Sequence, residues 1–285
     1  MEQSSGKTYQ QIMMQAVTYL ENKQLNPSIA ERLLMDRCDW TKTDLMMHLN
    51  RVMDEQVYLQ YLDDLNEFVQ GKPLQYIVGK EWFYGLPLKV TQDTLIPRPE
   101  TEELVHQALL HLNSKTDKDH FRVLDIGTGS GAIAIAMKHE RPVDQVTAID
   151  LSPEALEVAK ENADQYHLDI RFLEGDLLEP VALETFDCII SNPPYIAFEE
   201  KHLMDESVLE YEPSMALFAE NKGLSIYEKL AYELPFHLMT DGCLFMEIGF
   251  QQGEKLQKLY RKAFPDKEVT IQKDINGLDR MLIVK

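Results

Sequence analysis

The order of apolar and polar positions divides the chain into two textures. From about Thr8 to Gln70, apolar residues recur at helical spacing only. Ile12, Ala16 and Leu20, with Met13 and Val17, form one stripe. Asn26 caps and Pro27 opens a second helix carrying Ile29, Leu33 and Leu34, while Val57, Tyr61, Leu65 and Phe68, with Leu62 and Val69, form another stripe closed by Gly71. Stripes of this kind are core, so the segment reads as a small helical bundle. From Gly71 to Ile96, prolines and glycines separate the short apolar runs 76–78, 82–84 and 86–90, the texture of a β-hairpin linking two domains.

Pro99 then opens a helix with Glu100, Glu102 and Glu103 in its first turn, where the helix dipole favours them, and Leu104, Val105, Ala108, Leu109 and Leu112 along its buried face. Past the polar break at 113–120, strand and helix alternate. Strands are predicted over 123–126, 146–151, 170–173, 186–190 and 243–248, with helices over 132–139, 155–166 (capped by Ser152-Pro153-Glu154), from near 223, and over 251–264. This alternation predicts a parallel sheet with helices on both faces. The last two strands, 268–272 and 280–284, are too close together for a helical crossover and predict an antiparallel hairpin at the sheet. The fold class expected is therefore α/β, a Rossmann-like sheet with a terminal antiparallel hairpin. The domains expected are a helical one over 1–70, a hairpin linker over 71–96 and the sheet domain over 97–285.

Composition narrows the partners. The 285 residues are enough for one large domain and a small one, and 28 basic against 48 acidic side chains leave a net charge of −20, which speaks against a broad nucleic-acid-binding surface. Cys38, Cys188 and Cys243 lie far apart, with no Cys-x-x-Cys pair and no His at metal-ligand spacing, as expected in a reducing compartment without structural zinc. No stretch reads as a leader peptide or a membrane span, so a soluble cytoplasmic protein without a metal is expected.

The chemistry gathers at strand ends. Gly127, Gly129 and Gly131, between a strand and a helix, let the backbone approach a ligand closely, and Asp150 ends the next strand 19 residues past Gly131, where a carboxylate can accept both hydroxyls of an adenosine ribose. These residues suit NAD and S-adenosylmethionine equally. Two features favour the methyl donor: the terminal antiparallel hairpin, and Ser191-Asn192-Pro193-Pro194-Tyr195 at the end of the fourth strand. There the two prolines stiffen the turn and remove two N–H donors, Asn192 adds a carbonyl oxygen and Tyr195 an aromatic face, which together make a socket for an –NH2 group. A plain proline turn after a strand has the same local look, and it is the company of the glycine turn and Asp150 that points to a site. Arg98, Asp187 and Glu247 read as structural, Arg98 in an ion pair.

Five further stretches occur in family order. Gly71-Lys72-Pro73-Leu74-Gln75-Tyr76-Ile77-Val78-Gly79, Leu95-Ile96-Pro97-Arg98-Pro99-Glu100-Thr101-Glu102, Asp125-Ile126-Gly127-Thr128-Gly129-Ser130-Gly131, Tyr211-Glu212-Pro213 and Glu247-Ile248-Gly249, with the Asn-Pro-Pro-Tyr stretch, closely resemble the release-factor glutamine methyltransferases of the HemK/PrmC type. The resemblance runs from about residue 71 to the end. It implies S-adenosylmethionine as cofactor, with S-adenosylhomocysteine as product, held by Gly127, Thr128, Gly129, Ser130, Gly131, Asp150 and Asn192, with Leu177 near the adenine. It implies as substrate the glutamine of the Gly-Gly-Gln loop of class I peptide-chain release factors, held by Asn192, Pro193, Pro194 and Tyr195, of which Asn192, Pro193 and Tyr195 serve catalysis. The break at 71–96 between two separately patterned regions predicts in addition that the helical domain positions the protein substrate. From charge and hydropathy no direct nucleic acid and no membrane is expected as partner, and the oligomeric state stays open with a monomer favoured. The Pro-Pro-Tyr motif is shared with adenine-amino and ribosomal-protein glutamine methyltransferases, which are the alternatives. The Pro-Arg-Pro-Glu-Thr-Glu stretch is the more specific match.

Overall fold

The computed structural model describes residues 6–115 and 118–285 and divides into two compact units, Met1–Gly79 with Glu206–Tyr211, and Lys80–Asp205 with Glu212–Lys285. In the first, α1 (Tyr9–Asn22), α2 (Ile29–Cys38), α3 (Lys42–His48), α4 (Glu55–Val69) and α5 (Leu74–Val78) enclose a core in which Ile12, Leu20, Leu33, Leu34, Tyr61 and Leu65 are buried. The apolar stripes thus do what their spacing predicts. A buried ion pair braces them: Arg37 donates to both oxygens of Asp64 at 2.7 Å and to the Ile77 carbonyl at 2.9 Å.

Three details differ from the sequence reading. Helix α3 carries a capping box between Thr41 and Asp44 but buries only Leu45, so it leaves no periodic trace in the sequence. Helix α2 starts at Ile29, because the Asn26 side chain accepts from the Ser28 N–H and hydroxyl and shapes a turn before the helix. The run 76–78 is helical: Leu74 and Ile77 stand one turn apart and both bury in the helical core, and Gly79 ends the helix in the left-handed region. Tertiary packing overrides the strand-like texture of that run.

The second unit opens with the hairpin β1 (Lys80–Phe83) and β2 (Leu86–Lys89), followed by α6 (Pro99–Ser114). Then come β3 (Arg122–Ile126), α7 (Ala132–Glu140), β4 (Gln145–Asp150), α8 (Pro153–Gln165), β5 (Ile170–Glu174) and β6 (Phe186–Ser191). A short pair, β7 (Ile196–Ala197) and β8 (Phe218–Ala219), encloses α9 (Glu206–Tyr211) and α10 (Ser214–Leu217) in sequence. After the kinked turn α11 (Glu220–Gly223) follow α12 (Ser225–His237), β9 (Leu238–Glu247), α13 (Gly253–Ala263), β10 (Val269–Lys273) and β11 (Asp279–Val284).

The main sheet has the order β10-β11-β9-β6-β3-β4-β5, parallel except where β11 runs against both of its neighbours. This is the Rossmann-like architecture with the terminal antiparallel hairpin. Each central strand buries both faces, so its residues are mostly apolar on both sides, with Asp125 in β3 and Asp187 in β6 interrupting the run, and neighbours alternate sides. Val123, Cys188, Ile190 and Phe245 face α6 and α7, whereas Leu124, Ile189, Leu244 and Met246 face α12 and α13. The chain moves outward from β3 to β4 and β5, then returns to β6 on the other side of β3, and this reversal opens a crevice beyond the strand ends.

Candidate active site

A cavity of about 200 Å³ lies at that crevice, lined by the ends of β3 (Ile126, Gly127), β4 (Ile149, Asp150) and β6 (Ser191, Asn192). Gly175 to Leu177, Pro193 and Pro194 complete much of its wall. Of the residues singled out from sequence, Gly127, Gly129, Asp150, Leu177, Asn192, Pro193 and Pro194 line it. Thr128, Ser130, Gly131 and Tyr195 do not, and each is engaged behind it.

The glycine turn is held from both sides. Asp150 Oδ2 accepts from the Gly129 N–H at 2.8 Å and Oδ1 from the Ser152 N–H at 2.9 Å. A carboxylate has about four lone-pair sites, so Asp150 retains acceptor capacity toward the cavity. Burial raises its pKa. Behind the turn, Asn162 of α8 donates to the Ser130 carbonyl and to the Lys89 carbonyl, both at 2.9 Å, which ties the turn to the hairpin. Gly131 is in the left-handed region, and a Cβ there would come within 2.9 Å of Ile135 Cδ1 and 3.1 Å of Ala159 Cβ, so it lets α8 pack closely against the start of α7. A Cβ on Gly127, also left-handed, would meet no protein atom within 4 Å. The two glycines therefore serve different ends, close packing at Gly131 and ligand space at Gly127.

Asp125 in β3 carries no assigned role in the sequence. It is fully buried; Oδ2 accepts from the Thr128 hydroxyl at 2.6 Å and the Ala134 N–H at 3.2 Å, while Oδ1 is, among the described residues, a buried side-chain atom with no hydrogen-bond partner. Burial pushes its carboxyl up to about 7, against the two hydrogen bonds that lower it and with the Asp150 charge adding to the rise. The signal was a charged residue inside the apolar run Val123-Leu124-Asp125-Ile126. A ribose-type acceptor at Asp150 and open space at Gly127 fit a nucleoside ligand such as S-adenosylmethionine.

The turn from Asn192 to Tyr195 is held by side chains of α6, β9 and the loop before α13. Asn192 Nδ2 donates to Thr101 Oγ1 of α6 at 3.0 Å, and Thr101 Oγ1 donates to Glu247 Oε2 of β9 at 2.6 Å. Tyr195 OH donates to the other oxygen, Oε1, at 3.2 Å, and its carbonyl accepts from Gln252 Nε2 at 2.9 Å. Burial keeps the Tyr195 phenol protonated by raising its pKa. Tyr195 thus braces the turn with its hydroxyl end, and Glu247 is part of the site's frame and not merely of the sheet. Arg98 pairs with Glu212, which also accepts from the Ile96 N–H at 3.4 Å, so the two stretches Pro-Arg-Pro and Tyr-Glu-Pro meet.

The whole chain has relatives of known type. A family described as "PrmC N-terminal domain" matches residues 11–79, and "Methyltransferase small domain" matches 105–210. The release factor glutamine methyltransferase of Enterococcus faecalis is 44% identical over 98% of this chain and 100% of its own length. This chain belongs to the release factor glutamine methyltransferase family. Another member, from Bacillus subtilis, is 38% identical over 97% of both chains, and one from Lactococcus lactis is 49% identical over 76% of this chain and 78% of its own. Among solved structures, a Pyrococcus furiosus methyltransferase has a TM-score of 0.52 at 20% identity, covering 70% of this chain and 88% of that one. The human Mettl16 catalytic domain has a TM-score of 0.53 at 16% identity, covering 81% and 82%. These likenesses concern the fold.

Proposed function

We infer that this chain transfers a methyl group from S-adenosylmethionine to the side-chain amide nitrogen of the glutamine in the Gly-Gly-Gln loop of class I peptide-chain release factors. The observation that carries this reading is the commitment of Asn192 Nδ2 to Thr101, which leaves Oδ1 as the acceptor beside the Pro193 carbonyl. S-adenosylmethionine, when bound, supplies an electrophilic methyl group. Asp150 would hold its ribose hydroxyls, Gly127 and Gly129 would give it room, and Leu177 would cover the adenine.

An amide nitrogen is a poor nucleophile because its lone pair is delocalised into the carbonyl. Asn192 Oδ1 and the Pro193 carbonyl, accepting its two N–H groups, orient that lone pair and favour a nitrogen on its way to tetrahedral geometry. The methylated nitrogen is strongly acidic and loses its proton to water, so this chain need not supply a general base. Tyr195 contributes by bracing the turn through Glu247. The helical unit positions the protein substrate in this reading, supported by its exposed Met14, Met46, Met47, Val52 and Leu59, adaptable apolar side chains suited to a protein surface. The same reading puts the chain in the cytoplasm as a monomer that touches no nucleic acid directly.

The test is transfer of radiolabelled methyl to purified release factor, with the loop glutamine replaced as control. Label on the wild-type factor alone is the expected result. Label on the glutamine-replaced factor, or on DNA or RNA instead, overturns the reading.

A further inference from the structure

Asn192 can accept from a substrate only if its amide is turned the right way round, and its own turn does not decide that. The two ends of a carboxamide are nearly isosteric, so a half-turn about its last torsion would present NH2 to the substrate and repel the amide it should bind. The choice is made by proton counting along a buried chain of three groups. Glu247 is 1% exposed and Thr101 5% exposed. A threonine hydroxyl has a single proton, and Thr101 gives it to Glu247 Oε2 at 2.6 Å. Toward Asn192, at 3.0 Å, the Thr101 oxygen can then only accept. The NH2 group must face Thr101, and Oδ1 is left for the ligand.

Glu247 is well placed to keep the role of acceptor. Its Oε1 accepts from Tyr195 and its backbone carbonyl from Tyr227 at 2.6 Å; burial raises its carboxyl pKa, while the hydrogen bonds from Thr101 and Tyr195 and the positive charge of Arg280 on β11 act against that rise. The Glu100 charge adds to the rise. Thr101 and Glu247 are 91 and 55 residues from Asn192 in sequence and meet it only in the folded unit.

We propose that Glu247, acting through Thr101, is a positioning residue that sets the polarity of the Asn192 amide, so that an oxygen and not an NH2 group meets the N–H groups of the substrate. This rests on the amide-methylation reading above. One carboxylate thereby orders both functional side chains of the turn, Asn192 through Thr101 with one oxygen and Tyr195 with the other. The consequence is specific to the hydroxyl of Thr101: a side chain of the same shape without it leaves the amide free to turn.

The experiment compares wild type, Thr101→Val, Thr101→Ser and Glu247→Gln in steady-state methylation of purified release factor. Calorimetry of S-adenosylmethionine binding and thermal unfolding are measured alongside. Thr101→Val is expected to lower kcat about tenfold, the value of one hydrogen-bond preference, with cofactor affinity little changed and the unfolding temperature lowered, because the buried Glu247 oxygen loses its partner. Thr101→Ser, which restores the hydroxyl, is expected to return kcat to within about threefold of wild type. Glu247→Gln, which offers N–H where a lone pair was, is expected to lower kcat at least as far as Thr101→Val. Wild-type kcat in Thr101→Val overturns the proposal, as does a Thr101→Ser variant as slow as Thr101→Val, which would make the packing of the γ-methyl the cause. Should wild type itself fail to methylate the factor, it is the functional reading that fails, so the two failures are told apart.

Discussion

At the scale of single residues, most polar groups around the cavity already have partners, and Asp150 and the Asn192 side-chain oxygen keep capacity for a ligand. Asn192 has its NH2 engaged and its oxygen available. Asn192→Ala should therefore lower turnover roughly 10²–10³-fold, by analogy with the loss of one oxyanion-hole donor, while S-adenosylmethionine affinity stays near wild type. Asn192→Asp keeps an acceptor and should retain partial activity. Full activity in the folded alanine variant, with cofactor saturating, would sink the mechanism. Asp125 gives a second, pH-dependent test. Its folded pKa, pushed up to about 7 by burial, lies above the ordinary carboxylate value, so the native state binds more protons than the unfolded chain between the two. Its contribution to stability is fully present below about pH 4 and is lost as pH rises through 7. Asp125→Asn, which cannot ionise, should gain on wild type as pH goes from 5 to 8. By pH 8 the gain should reach roughly 2–5 °C in unfolding temperature, on the order of 1–2 kcal/mol. A gap in unfolding temperature that does not change with pH would show that Asp125 does not titrate in this range.

At the scale of elements, the glycine turn between β3 and α7 separates packing from binding within five residues. Gly131→Ala puts a methyl group within 2.9 Å of Ile135 and 3.1 Å of the Ala159 side chain at a left-handed φ, so it should destabilise the fold by roughly 1–3 kcal/mol. Gly127→Ala meets no protein atom within 4 Å. It should cost only the backbone strain, about 1 kcal/mol, yet weaken cofactor binding, because its methyl group points where no protein atom stands. Thermal unfolding and calorimetry on the two variants separate these effects; equal loss of binding with equal loss of stability in both would remove the distinction. The frame around the turn is likewise cross-linked by side chains, Asn162 clipping it to β2 and Glu102 accepting from the Tyr84 N–H at 2.8 Å to join the hairpin to α6.

At the scale of the whole molecule, every cavity-lining residue belongs to the sheet unit. Removal of the chain up to Gly79 should leave S-adenosylmethionine affinity close to that of the full protein and abolish methyl transfer to intact release factor. Calorimetry and the radiolabel assay on the truncated chain check the two halves of this statement. Transfer at the full rate would strip the helical unit of its substrate-positioning role. The helix α9 groups with the helical unit although it lies far along the chain, so its apolar residues lose their partners in the truncation and solubility must be followed with the assay.

Much of this architecture was legible in the sequence because it depends on local periodicity. The central strands are buried on both faces and so appear as mostly apolar runs, interrupted by Asp125 in β3 and Asp187 in β6. Helices α1, α4, α8 and α13 bury one stripe each, α7 is apolar and buried all round from Ala132 to Met137, and the short link between β10 and β11 leaves no room for a crossover helix. The glycine turn, Asp150 and the Asn-Pro-Pro-Tyr stretch were likewise readable, since strand ends place such residues at a sheet edge and the family resemblance names them. What the sequence does not carry is which distant partner each polar group finds. Helix α3 buries a single leucine and so leaves no pattern; the run 76–78 has a strand's texture but takes a helix because its partners are helices. Arg98, amid acids of its own helix, pairs with Glu212, and Glu247, read as structural, turns out to hold Thr101 and Tyr195. Hydrophobic burial follows a repeat along the chain and is written into it. A hydrogen bond is directional and reaches only about 3 Å, so its partner is decided when the sheet brings strands and helices together.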